Sequence, residues 1–269
     1  MRQRTITAFF FAAVMMGGIY GGSNAFKILF TIIVVGSLWE LFAMLLLQDE
    51  PHKIGRKIWG TLVATSPFLL VFWSNSLNRP GMIYLLVLLV FASLAAELFL
   101  RSKTPFQNVA VYVLGFVYVC FPFIFLNWIA YASSPTDYAP NRVLGLLLLV
   151  WTNDTGAYLT GKQFGKHKLL ERISPKKTWE GTLGGAVFTV LIAWGLSFLI
   201  KDFTLPQWLA LSLVAAIGSN IGDLVESMLK RSVGVKDSGS FMPGHGGFLD
   251  RFDAFIFCLP FFWLVLQLV

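Results

Sequence analysis

The sequence predicts an all-α fold: a polytopic transmembrane helical protein with about nine spans and no soluble domain. Hydrophobic residues make up 56% of the 269 residues and charged residues 13%, whereas soluble domains have about 45–50% and about 25%. The apolar residues lie in runs of about 20, the length that a helix needs to cross a bilayer. The stretches between these runs are too short to form a separate soluble domain.

The predicted spans are the apolar runs along the chain. They lie at about 6–22, 28–48, 58–74, 81–100, 107–132, 141–163, 180–200, 207–229 and 251–269. The basic start and the sequence Ser23-Asn24-Ala25 after the first run leave a second interpretation open, a cleavable signal peptide. We favour the transmembrane interpretation. In the eighth run, Gly218 and Gly222 form a strip of small residues that lets another helix approach closely.

The lysines and arginines are distributed unevenly around these spans. With the N-terminus in the cytoplasm, 17 of the 21 cations fall on the cytoplasmic side and 4 on the other, in keeping with the positive-inside rule. Two segments, 162–177 and 230–251, carry 10 of these 17 cations, and they overlap the predicted cytoplasmic loops 162–179 and 231–249. Orientation and contact with anionic lipid would explain the number of cations, but not the acids, glycines and histidine among them. We therefore favour a functional role for these cations. Because the net charge of +7 follows from this distribution around the spans, it does not indicate nucleic-acid binding, and no nucleic-acid partner is predicted.

The stretch from Ser227 to Asp253 has the most chemically varied composition. It contains four cations, three carboxylates, one histidine and five glycines. Glycines let backbone N–H groups approach a ligand closely, and Lys and Arg hold phosphate oxygens. Carboxylates three residues apart on a helix can hold a hard cation such as Mg²⁺. The stretch therefore indicates a site for a metal–polyphosphate complex at a membrane surface.

The order of residues in this stretch closely resembles the signature of the phosphatidate cytidylyltransferases, also called CDP-diacylglycerol synthases. The matching parts are Ser227-x-Leu229-Lys230-Arg231, Lys236-Asp237-x-Gly239 and Pro243-x-His245-Gly246-Gly247-Phe248-x-Asp250-Arg251-Phe252-Asp253. Met242 departs from the Leu, Ile or Phe that the family usually has, which changes packing only. The resemblance extends over the C-terminal half, through Asn153-Asp154-Thr155 and Ser174-Pro175-Lys176-Lys177-Thr178-x-Glu180-Gly181.

This resemblance implies an integral-membrane enzyme of phospholipid biosynthesis. Its substrates would be CTP and phosphatidic acid, and its products CDP-diacylglycerol and pyrophosphate. The implied location is a bacterial-type inner (plasma) membrane, with membrane lipid around the protein and the active site on the cytoplasmic side. The chain would then divide into N-terminal transmembrane helices, 1–135, and a C-terminal catalytic domain, 136–269. A homodimer is compatible with the resemblance and the large lipid-facing surface, although no motif requires one.

The resemblance also implies which residues form the site. The catalytic candidates are Asp223, Lys230, Arg231, Lys236, Asp237, His245, Asp250, Arg251 and Asp253. The substrate-binding candidates are Asp154, Ser174, Lys176, Lys177, Thr178, Glu180, Asn220, Ser227, Gly246 and Gly247. Ser174-Pro175 is predicted to form a turn before a helix that carries Thr178 and Glu180 at its start. His245 is interpreted as a phosphate contact or leaving-group donor rather than a base, and a role that only caps its turn stays open.

Three of these acids, Asp223, Asp250 and Asp253, are the predicted ligands of Mg²⁺, with a second cation left open. Carboxylates near the ends of membrane helices repel one another unless a cation lies between them. Mg²⁺ prefers oxygen ligands and keeps waters and substrate phosphates in its shell, so two or three carboxylates are enough. The alternative is that Asp250 and Asp253 only stabilise the N-terminus of the last helix.

Other interpretations are weaker. A CTP-dependent polyprenol or lipid kinase would use similar chemistry but release CDP. A transporter predicts polar interruptions near the midplane of both halves, whereas the polar clusters lie in the C-terminal half and toward one face. Cys120 and Cys258 lie in apolar runs, which favours buried thiols over a disulfide. Glu40 and Glu97, in the N-terminal half, are interpreted as interhelical or interfacial groups rather than catalysts.

Overall fold

The computed structural model describes residues 2–46, 51–74, 81–131, 134, 136–239 and 246–269, without the side chains of 2–6 and 8. Nine helices and one β-hairpin form within these ranges. The helices are α1 (Arg2–Tyr20), α2 (Ser23–Leu45), α3 (Lys53–Ser74), α4 (Gly81–Glu97), α5 (Pro105–Ala130), α6 (Pro140–Phe164), α7 (Trp179–Leu199), α8 (Leu205–Ser232) and α9 (Leu249–Leu268). A π-helical turn at Phe116–Cys120 lies within α5. The strands are β1 (Lys168–Leu170) and β2 (Ser174–Thr178).

The helices coincide in position with the predicted apolar runs. Four of them are long and apolar enough to cross a membrane by length and composition: Ser23–Leu45, Pro105–Ala130, Trp179–Leu199 and Leu205–Ser232. The structure thus supports an almost entirely helical membrane protein, while the count of nine spans stays a prediction. The β-hairpin departs from the all-α expectation, since the predicted turn at Ser174-Pro175 is part of a strand. Leu170 pairs with Ser174 across the hairpin, and the Ile173 N–H closes the turn on the Leu170 carbonyl at 3.1 Å.

The chain forms two compact units. The first comprises Met1–Thr136 and Asp237–Arg251, and the second comprises Asp137–Lys236 and Phe252–Val269. The described residues just before α9, 237–239 and 246–248, therefore belong to the first unit, together with α1 to α5. We call these residues the loop before α9.

Aromatic side chains fill the core of the first unit. Phe26, Phe30, Phe72 and Phe123 are completely buried, and the Phe26 and Phe72 rings stack with centroids 5.7 Å apart. Glu97 pairs with Arg56 of α3, which confirms its interpretation as an interhelical group. Both cysteines are buried and free, as predicted.

Close helix contacts through glycines build the second unit. A Cβ on Gly222 of α8 would lie 2.9 Å from the Ala254 Cα of α9, and one on Gly218 would lie 2.7 Å from the Cys258 sulfur. The predicted small-residue strip is therefore confirmed as the contact between α8 and α9. Gly156 of α6 and Gly185 of α7 pack together in the same way, with a Gly156 Cβ placed 3.2 Å from the Gly185 Cα. These contacts fix α6, α7, α8 and α9 around the polar groups described below.

The contact between α6 and α7 predicts a stability effect at Gly185. A Cβ there would lie 2.7 Å from the Asn153 carbonyl oxygen, whereas nothing lies within 4 Å of a Cβ on Gly195 of the same helix. We expect Gly185→Ala to destabilise the protein by about 1–3 kcal/mol, lowering the thermal midpoint in detergent by about 3–10 °C. Gly195→Ala is the matched control and should leave the midpoint unchanged or slightly raised. Equal midpoints for both variants would contradict the close packing of α6 on α7.

Candidate functional site

The β-hairpin is anchored on the start of α7. Thr178 is the N-cap of this helix, and its hydroxyl accepts the Gly181 N–H at 3.2 Å, as the predicted helix start requires. Glu180 accepts the backbone N–H groups of Lys166 and His167 at 3.1 and 3.2 Å and contacts His167 Nδ1 at 2.6 Å. These contacts position the hairpin, and the substrate contact predicted for Glu180 stays a prediction.

Lys177 connects this hairpin to α8. Its ammonium group lies 2.7 Å from Asp223 Oδ2 and donates to the Asn220 carbonyl at 3.4 Å. Alternate residues of a strand point to opposite faces, so Lys176 is exposed while Lys177 is partly buried. The Thr182 hydroxyl donates to the Asn220 side-chain oxygen at 3.4 Å. The structure thus brings three of the sequence-predicted site residues, Lys177, Asn220 and Asp223, together at the same end of the second unit.

Carboxylates of α6 and α8 lie within electrostatic range of Asp253 on α9. Asp253 of α9 interacts electrostatically with Asp154 of α6 and with Asp223 and Glu226 of α8. Glu226 is completely buried and forms an ion pair with Lys230, one helical turn further along α8. We call Asp154, Asp223, Glu226 and Asp253 the acidic cluster. Three of its members are sequence-predicted site residues, brought together from α6, α8 and α9.

Glu226 is the member of the acidic cluster that was not among the sequence-predicted site residues. It shares a helix face with Asp223 and Lys230, so the spacing alone contained a signal. A buried carboxylate that is paired with a lysine at i+4 also fits a purely structural ion pair. Only the proximity of α6 and α9 identifies Glu226 as part of a larger charged group.

The oxygen ligands of the acidic cluster suit Mg²⁺ by their chemistry. Hard cations prefer carboxylates, and acids this close repel one another unless cations offset their charge. Within the described ranges, no group of three or more His, Cys, Asp or Glu side chains has the geometry to hold a metal ion. Lys177 and Lys230 each pair with one member, and Ser227 donates to Asp223 at 3.2 Å. The metal ligands therefore stay a prediction.

Asp250, the third predicted metal ligand, belongs to the first unit and organises the loop before α9. Its Oδ2 atom accepts the Ser238 N–H at 3.0 Å, the Ser238 hydroxyl at 2.9 Å and the Gly247 N–H at 2.8 Å. Gly246 has φ +80°, and a Cβ there would lie 2.5 Å from the same oxygen, so glycine is required both for the backbone conformation and for space. Two predicted binding residues, Gly246 and Gly247, thus shape the surroundings of Asp250.

The remaining predicted residues are more exposed. Arg231 donates to the Val235 carbonyl at 3.0 Å, which closes the end of α8. Lys236, Asp237 and Arg251 are exposed, and Ser174 is half-buried at the start of β2. His245 lies outside the described residues.

Comparison with known proteins covers nearly the whole chain. A model of the cytidylyltransferase family matches residues 2–269. The phosphatidate cytidylyltransferase of Staphylococcus aureus (strain COL) is 33% identical over 264 residues, which span 97% of this chain and 96% of that protein. The phosphatidate cytidylyltransferase of Bacillus subtilis (strain 168) is 32% identical over 274 residues, spanning 100% of this chain and 98% of that protein.

The pairing of Lys177 with Asp223 predicts that two adjacent lysines differ in their effect on stability. Removing Lys177 leaves the acidic cluster with one cation fewer, whereas exposed Lys176 offsets little of its charge. A partly exposed ion pair contributes up to about 1 kcal/mol, so Lys177→Ala should lower the thermal midpoint by about 1–4 °C. Lys176→Ala is the matched control and should leave the midpoint unchanged.

A double-mutant cycle separates the ion pair from other effects of removing Lys177. In an Asp223→Asn background, Lys177→Ala should cost less than it does in the parent protein, because its charged partner is already gone. Equal effects of Lys176→Ala and Lys177→Ala, or strict additivity in the cycle, would contradict the pairing.

Proposed function

This chain belongs to the cytidylyltransferase family, and we propose that it is an integral-membrane phosphatidate cytidylyltransferase. It joins CTP and phosphatidic acid to give CDP-diacylglycerol and pyrophosphate. The observation that carries the proposal is the Lys177–Asp223 pair, at 2.7 Å. It holds a cationic hairpin against a group of carboxylates, which is the combination that a metal–polyphosphate substrate needs.

The reaction explains why the site is rich in charge and has few obvious bases. An oxygen of the phosphatidate phosphate attacks the α-phosphorus of CTP, a new P–O bond forms, and the bond to the β-phosphate breaks to release pyrophosphate. A phosphate monoester has a second pKa of about 6, so the nucleophile is already largely ionised at neutral pH. The difficulty is to bring two anions together in line, which positioning and electrostatic stabilisation overcome.

The lysines and arginines of the second unit are suited to hold the phosphates. Lys177 already occupies the position of a cation beside the acidic cluster, and Lys176 on the opposite face of β2 is exposed to an incoming anion. Lys230 and Arg231 follow in the last turn of α8, with Lys236 beyond it. Ser174, Thr178 and Asn220 contribute further polar groups around them. We propose that these residues orient CTP and the lipid phosphate while the acyl chains stay in the bilayer.

We propose that Asp223 and Asp253 hold Mg²⁺, with Asp250 as the third predicted ligand. The fit is supported by the electrostatic contact of Asp253 with Asp223, Glu226 and Asp154, because such a group gains stability from a hard cation. When bound, Mg²⁺ would offset phosphate charge and favour departure of pyrophosphate. Lys177 and Lys230 each neutralise one member of the acidic cluster.

The proposed location is a bacterial-type inner membrane with the site facing the cytoplasm. Bacterial relatives and four long apolar helices support the membrane location. The cytoplasmic side is supported by the positive-inside distribution of the cations. The ion pair between Lys177 and Asp223 also requires the hairpin and the last turns of α8 to lie at one end of the second unit.

Product analysis of the purified protein tests the function. With labelled CTP, short-chain phosphatidic acid and Mg²⁺, we expect CDP-diacylglycerol and pyrophosphate in equal amounts. Release of CDP with phosphorylation of a lipid alcohol would instead identify a lipid kinase. In sealed vesicles, externally added CTP should react only when the membrane is inside-out, since a tetra-anion does not cross the bilayer. Activity confined to right-side-out vesicles would contradict the cytoplasmic site.

The metal proposal predicts the behaviour of the Asn variants. Asp223→Asn and Asp253→Asn keep the size of the side chain but remove the charge, so turnover should fall about 100-fold or more. Residual activity should need more Mg²⁺ for half-saturation. Asp202→Asn is the matched control, because Asp202 contacts Asn141 and Arg142 instead, and it should keep near-normal activity. Normal rates with unchanged Mg²⁺ dependence in Asp223→Asn and Asp253→Asn would place the metal elsewhere.

A further inference from the structure

Glu40 of α2 binds the loop before α9 through its carboxylate. The Ser238 hydroxyl lies 2.8 Å from Oε2 and shares its one proton between Glu40 and Asp250. The Phe248 N–H donates to Oε1 at 3.0 Å and the Leu249 N–H to Oε2 at 3.0 Å. The side chain comes from some 200 residues earlier in the chain and is buried, with 8% of the residue exposed. One buried carboxylate thus contacts both described ends of the loop.

Glycines make room for this carboxylate. A Cβ on Gly239 would overlap Glu40 Oε1, and one on Gly247 would overlap Glu40 Oε2. One turn earlier in α2, a Cβ on Gly36 would overlap the Phe248 ring, 2.5 Å from its Cδ2 atom. The face of α2 that carries Gly36 and Glu40 is therefore complementary in shape to the loop, and the backbone approaches the carboxylate as closely as glycine allows.

The contacts of Glu40 also complete the start of α9. The first N–H groups of a helix have no partner within the helix, and an acid placed there is stabilised by the helix dipole. Glu40 supplies this acid to Phe248 and Leu249 from another helix. Asp250 follows in the next position and accepts the Ser238 and Gly247 N–H groups. The Ser238 hydroxyl contacts both carboxylates, so Glu40 and Asp250 form one hydrogen-bonded group.

We propose that Glu40 is a positioning residue for the proposed reaction. It fixes the two ends of the loop and the first turn of α9, and thereby the direction in which Asp250 presents its carboxylate. The proposal rests on the proposed function for its kinetic consequences, whereas its structural consequences are independent of it. It assigns a role in the active site to the N-terminal half of the chain, in which the sequence indicates no motif.

Glu40→Gln tests the proposal, with Glu97→Gln as the matched control. Both glutamates are buried in the first unit, but the partners of Glu97 are Arg56 and Asn108. For Glu40→Gln we expect kcat to fall about 10–100-fold, as for other residues that orient a ligand, with KM for CTP changed by less than about 3-fold. Glu97→Gln should lower the thermal midpoint at least as much while keeping kcat within about 2-fold of the parent.

Hydrogen–deuterium exchange supplies a readout that needs no activity. Glu40→Gln should speed amide exchange in peptides covering 246–252, and Glu97→Gln should leave it unchanged. Unchanged exchange in Glu40→Gln would overturn the proposed contacts even if the protein were inactive. Faster exchange in Glu40→Gln with an unaffected kcat would overturn the positioning role. An equal loss of kcat in Glu97→Gln would also overturn it, because the loss would then follow from lower stability of the first unit. If Glu40→Gln exchanges faster than the parent protein but the parent itself lacks cytidylyltransferase activity, only the proposed function is contradicted.

A second pair of variants covers the case in which Glu40→Gln does not fold. Gly239→Ala places a methyl group against the Glu40 carboxylate, and Glu40→Asp withdraws that carboxylate by one methylene. The double variant should therefore be more active and more stable than Gly239→Ala alone, because the shorter acid relieves the overlap. If the double variant's activity is simply the product of the fold-changes of the two single variants, the close contact between Gly239 and Glu40 is contradicted, and with it the proposal.

Discussion

The mutual repulsion of carboxylates on neighbouring helices is the constraint on which the second unit of this structure depends. Asp154, Asp223, Glu226 and Asp253 come from three helices that pack through glycines, and this close packing brings like charges together. Such a group is stable only if cations lie beside it. Lys177 and Lys230 supply them, one from a hairpin and one from the next turn of α8.

The β-hairpin is held in place by the same charge interactions. A strand pair as short as β1 and β2 is unstable alone, so it needs contacts at its ends. Glu180 fixes the two residues before β1 to α7, and Lys177 fixes β2 to α8. These contacts leave Lys176 exposed on the opposite face. The same geometry that offsets the acids therefore presents a cation to an anionic substrate, which links the stability of the second unit to the proposed reaction.

Two acids of the first unit have a different kind of partner. Glu40 and Asp250 accept backbone N–H groups and one serine hydroxyl. Backbone donors are rigid and cannot leave when a metal or phosphate arrives, so they fix a position, whereas a lysine side chain can exchange one anion for another.

The sequence alone determined the helical membrane class, the start of α7 and the helix-packing strip at Gly218 and Gly222, since all three follow from local periodicity, capping and residue size. It also indicated Lys177, Asn220 and Asp223 as site residues, but only through the resemblance of the sequence to a family, which does not show that these residues contact one another. Only the tertiary structure decided that Glu226 joins the acidic cluster, that Ser174-Pro175 lies in a strand, and that Glu40 binds a loop some 200 residues away. Those outcomes depend on which helices approach one another. A carboxylate on an apolar helix has the same local pattern whether its partner is a lysine, a metal or a distant backbone N–H group.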